Sequence, residues 1–108
     1  MRLRSSLGAL AGALLLTLSV STSAHAAGGE FEYQYGTGLP NILIDPVSGE
    51  CIDLPFTTPE APGFAPYNRT DSTATVFVDF GCNGDTYYVM NPGKKLGARL
   101  KLRSVVFS

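Results

Sequence analysis

No stretch of this chain sustains the 3.6-residue apolar repeat of an amphipathic helix. Six short β-like runs recur instead: Phe31 to Tyr35, Ile42 to Ile44, Cys51 to Leu54, Ala74 to Phe80, Thr86 to Met90 and Leu100 to Phe107. Each is bounded by Gly, Pro, Asn or Asp, the punctuation of an all-β sandwich or barrel. In Ala74 to Phe80, alternation puts Val76, Val78 and Phe80 on one side and Thr75, Phe77 and Asp79 on the other, so at least one face is buried. The apolar and charged fractions, 44% and 16%, fit one small globular domain and leave no room for a second.

The first 26 residues read differently from the rest. Arg2 and Arg4 precede an uncharged apolar stretch from Leu7 to Val20, and Ala24-His25-Ala26 forms an A-x-A cleavage pattern. This is the order of a secretory signal peptide. A membrane anchor is the competing reading, but a stretch this short and rich in Gly, Ala and Ser falls below the roughly 18 residues a span needs. The expected organisation is a leader over 1–26 and one domain over 27–108, released from the cell with no membrane anchor. That domain has 82 residues, with six basic against nine acidic side chains and a net charge of −3.

Cys51 and Cys82 are the only cysteines and both lie in the expected domain. In an oxidising compartment an even pair in so small a domain forms one disulfide. A reactive thiol is the rival reading, and it lacks a partner base: the chain's one histidine, His25, falls in the leader.

Pro55 to Pro66 holds four of the seven prolines, Pro55, Pro59, Pro62 and Pro66. Four missing N–H donors exclude a helix or a central strand, so this reads as a long semi-rigid loop. It is either a plain connection or a binding loop with Phe56, Phe64 and Tyr67 as anchors. Five basic residues cluster at Lys94, Lys95, Arg99, Lys101 and Arg103. The plainer reading is the solvated face of a final strand; the sharper one is a polyanion or partner site. A net negative domain is a poor nucleic-acid binder, and none is expected as a partner. Asn68-Arg69-Thr70 matches an N-glycosylation acceptor.

One segment carries a family resemblance. In Phe77 to Gly84 an aromatic is followed at the fifth position by Cys82 and at the seventh by Gly84, with Ser104 about twenty residues further on. This order resembles the βγ-crystallin Greek-key motif, with Cys82 in place of the usual Phe. The resemblance implies a βγ-crystallin-like Greek-key β-sandwich. In it Gly84 takes a strained turn conformation, Phe77 packs across a folded hairpin, and the Ser104 hydroxyl satisfies backbone groups that the bend leaves unpaired. A weaker echo aligns Ile42, Val47 and Gly49 with Phe77, Cys82 and Gly84, and places Asn68 to Thr70 where Ser104 stands. The family's calcium-binding stretch would fall on Arg99 to Ser104, where Arg99 and Leu100 replace the oxygen ligands and three positive charges repel a cation. No metal and no cofactor is expected.

Small secreted bacterial proteins of this kind include a metalloproteinase-inhibitor family and a killer-toxin-like group. The leading expectation is therefore a non-catalytic, peptidase-inhibitor-like monomer whose pre-ordered Pro55 to Pro66 loop docks on a secreted protease. The alternative is a toxin-like module that recognises a cell-envelope component through exposed residues among Tyr33, Tyr35, Tyr67, Tyr87 and Tyr88. A carboxylate-based hydrolase using two of Asp45, Glu50, Asp53, Asp79 and Asp85 is the remote third.

Overall fold

The computed structural model describes residues 25–108. The leader expected over 1–26, apart from His25 and Ala26, lies outside the described residues. The chain forms two antiparallel sheets around a single core. Its strands are β1 (Gly29–Tyr35), β2 (Leu39–Ile44), β3 (Ile52–Asp53), β4 (Phe64–Thr70), β5 (Ala74–Phe77), β6 (Tyr87–Met90) and β7 (Ser104–Phe107). One sheet has the order β2-β1-β4 and the other β3-β7-β5-β6. The two halves of the chain exchange parts: β3, from the first half, pairs with β7, while Lys95, from the second, bridges Tyr67 on β4.

β1 follows from strict alternation. Phe31 and Tyr33 point inward and are fully buried, while Glu30, Glu32 and Gln34 point outward. Phe31 meets Phe107 of the opposite sheet edge-on, ring centroids 5.5 Å apart at 83°, so these aromatics join the two layers. Val76, Met90, Leu102 and Val105 complete the interior from the second sheet's side. β1 turns into β2 through Gly36 and Gly38, and the Gly38 amide donates to the Tyr35 carbonyl at 3.0 Å.

β4 corrects the loop expected over Pro55 to Pro66: the irregular segment ends at Gly63 and the strand begins at Phe64. Between Glu32 and Gln34 of β1 the register slips, so that Tyr67 faces Glu32 while Phe64 faces Gln34. Ala65, at φ 51°, provides the extra residue of this bulge. Pro66 follows it, where a missing N–H is tolerated.

Three other expectations shift. The run from Ala74 to Phe80 stops as a strand at Phe77, because Phe80–Cys82 folds into a 3-10 turn. The run from Leu100 is a strand only from Ser104; before it, Leu102 and Gly63 exchange two backbone hydrogen bonds as an isolated bridge. The Ile42-Val47-Gly49 echo forms no folded hairpin: Ile42 sits on the open-edge strand β2 and Gly49 in the connection to β3.

Candidate functional site

The segment from Val78 to Thr86 leaves β5, bends back over the outer face of the second sheet and returns as β6. Its backbone is unusual: Gly81, Cys82 and Gly84 have φ of 75°, 53° and 99°. At Gly84 the φ of 99° is one that L side chains rarely adopt, which is why glycine suits this position; an added Cβ would also meet Asp79 Oδ2 at 2.6 Å, a side-chain end that can move aside. Three anchors hold the bend. The Ser104 hydroxyl accepts from the Cys82 amide at 2.9 Å and donates to the Asp79 carbonyl at 2.5 Å. Asp53 Oδ1 accepts from the Gly81 amide at 2.8 Å. A Cys51–Cys82 disulfide closes the third link, with Cα atoms 5.8 Å apart. Phe77 lies opposite Ser104 in register, and its ring contacts Tyr87 at 5.7 Å.

The proline-rich segment, from Pro55 to Gly63, is held as firmly. Leu54, Pro55, Phe56 and Thr57 form a turn in which the Leu54 carbonyl accepts both the Thr57 amide at 3.3 Å and its hydroxyl at 2.7 Å. The buried Tyr33 hydroxyl donates to the Pro55 carbonyl at 2.5 Å and accepts from Asn41 Nδ2 at 2.9 Å. Burial pushes the Tyr33 phenol above its ordinary range; the Asn41 hydrogen bond opposes this and the neighbouring Tyr35 adds to it. Further on, Thr58 and Ala61 close a small ring of backbone bonds, with the Thr58 hydroxyl accepting from the Ala61 amide.

Arg103 ties the two segments together. Its guanidinium donates to the carbonyls of Thr58 at 3.0 Å, Pro59 at 2.6 Å and Val78 at 2.9 Å. The expectation of a solvated basic face therefore does not apply to Arg103, whose planar fork spans three carbonyls as a flexible ammonium would not. Lys94, Lys95, Arg99 and Lys101 remain exposed.

The three expected anchors do not converge in the loop. Phe56 lies in it, 63% exposed, with its ring stacked on Tyr35 at 4.7 Å and 17°. Phe64 and Tyr67 belong to β4, where Tyr67 lies under the Lys95 ammonium at 4.9 Å and near the Arg69 guanidinium at 5.6 Å.

Asn68, read as a glycosylation acceptor, is fully buried. Its amide donates to the Ser72 and Met90 carbonyls, each at 2.8 Å, and its oxygen accepts from the Thr70 amide and hydroxyl. In the folded protein it is a structural crosslink with no free amide hydrogen.

Of the carboxylates weighed for hydrolysis, Asp45 and Asp53 are occupied with the amides of Gly29 and Gly81. Among the described residues no group of three or more His, Cys, Asp or Glu side chains is arranged to hold a metal ion.

The fold and site thus define an all-β, disulfide-closed small domain with two pinned loops. Comparison with models of known protein families, with curated proteins and with solved structures gave no match.

Proposed function

We propose that the protein is a secreted, non-catalytic binding module of the peptidase-inhibitor type and that the Pro55–Gly63 loop is its docking element. The observation that carries this reading is the set of bonds from Arg103 and Tyr33 to the carbonyls of Pro55, Thr58 and Pro59. An exposed loop already fixed in one conformation loses little entropy on docking, and its backbone resists the motions that cleavage requires. The disulfide is compatible with an extracellular location.

The finer fold assignment, a βγ-crystallin-like pair of Greek keys, belongs to the same proposal. It is supported by the exchange of β3 and the Lys95 segment between sheets, and by the Ser104 hydroxyl under a bend containing Gly84. The family's inhibitors have more disulfides than this chain, so the loop rather than a second crosslink carries the argument.

The test is a titration of secreted metallo- and serine peptidases with the purified domain. Stoichiometric slowing with the chain recovered intact is the expected result. Degradation of the chain with no slowing across the panel would overturn the reading.

A further inference from the structure

Phe56 occupies a position that folding alone does not ask an aromatic to fill. Proline at the second position, a positive φ at the third and a closing amide-to-carbonyl bond are the pattern of a type II turn, which favours glycine at the third position. Here the third residue is Phe56, at φ 68°. A bulky side chain in this region is strained, and such strain concentrates at functional sites. The ring recovers little by burial: one face lies on Tyr35 and 63% of the residue remains in solvent. Leu39, directly opposite Tyr35 across the hairpin, is 52% exposed and extends the apolar surface.

Three polar groups beside this surface are already engaged. The Asn41 amide is directed to the Tyr33 hydroxyl, that hydroxyl to the Pro55 carbonyl, and the Thr57 hydroxyl to the Leu54 carbonyl. A sugar site needs free hydrogen-bonding groups beside its aromatic platform. This one offers an apolar projection on a rigid turn, which suits a hydrophobic cleft in another protein.

Resting on the inhibitor reading above, we infer that Phe56 is the anchor of the loop and specifies its target class: peptidases whose substrate pocket accepts a large apolar or aromatic residue. Tyr35 acts as a positioning residue that supports the ring from beneath.

Two parallel measurements test this: inhibition of peptidases selective for aromatic residues and for Arg or Lys, and thermal melting of the wild type, Phe56→Gly, Phe56→Asn and Phe56→Tyr. Glycine and asparagine suit the turn, so both variants are expected to melt within a few degrees of the wild type while losing about 100-fold in inhibition. Phe56→Tyr should retain inhibition, and the Arg- or Lys-selective enzymes should be unaffected throughout. Wild-type inhibition that survives Phe56→Gly overturns the anchor assignment and leaves the inhibitor reading standing, as does inhibition confined to Arg- or Lys-selective enzymes. A wild type that inhibits nothing overturns both.

Discussion

The Ser104 hydroxyl, 2.9 Å from the Cys82 amide, links the first residue of the last strand to a bend 22 positions earlier. Because the same oxygen donates to the Asp79 carbonyl, one buried side chain satisfies two backbone groups that no strand can reach. Ser104→Ala leaves both without partners and is expected to lower stability by about 1–3 kcal/mol. Amide hydrogen exchange should localise the effect, with Cys82 losing protection before the strands do. Uniform loss of protection would show that the hydroxyl is not what holds the bend.

The disulfide crosslinks residues 31 positions apart. In the chain-entropy account a loop of this length contributes about 3–4 kcal/mol, a large share of a small domain's stability. The Cys51→Ser/Cys82→Ser double variant should show that loss in denaturant melts. Intact mass after alkylation without reduction should show no modification, and two added groups would refute the bond.

Arg103 is predicted to control loop order more than global stability. Replacing it with methionine removes three hydrogen bonds while keeping an apolar stem, with an expected cost of about 1–3 kcal/mol. Limited proteolysis should then cut first between Thr58 and Pro62. A variant resistant there, yet globally destabilised, would place the role of Arg103 in the core instead.

Tyr33 gives the loop a pH dependence. Its phenol titrates higher in the folded chain than in the unfolded one, so the unfolded state loses its proton first as pH rises. The stability contributed by the neutral phenol is complete below its unfolded value of about 10 and declines as pH climbs through the higher folded value. Tyr33→Phe removes the donor to Pro55 and should cost about 1–3 kcal/mol at neutral pH. The difference between wild type and variant should shrink as pH rises above about 10. A difference that stays constant with pH contradicts the assignment.

These dependencies show what the sequence could and could not display. β1 was legible because Phe31, Tyr33 and Tyr35 alternate with polar residues, and the spacing of Phe77, Gly84 and Ser104 marks the segment that the Ser104 hydroxyl holds in a bend. β4 was hidden: Pro66 reads as a strand breaker, and only the bulge at Ala65 makes it tolerable. The apolar run continued through Phe80, but the positive φ at Gly81 and Cys82 turns it out of the sheet. Arg103 looked like half of an alternating exposed face because its partners, Thr58 and Pro59, lie 45 and 44 residues away. Asn68 carried a surface motif, yet its four internal bonds come from Thr70, Ser72 and Met90, which only the fold assembles.

Whether the Pro55–Gly63 segment acts as an inhibitory loop is decided by an active-site titration of a secreted peptidase selective for large apolar residues, followed by mass analysis of the recovered chain. The expected result is a linear loss of activity reaching its end point near one chain per enzyme, with the segment from Pro55 to Gly63 uncut. Undiminished activity at several-fold excess, with cleavage inside that segment, would contradict it.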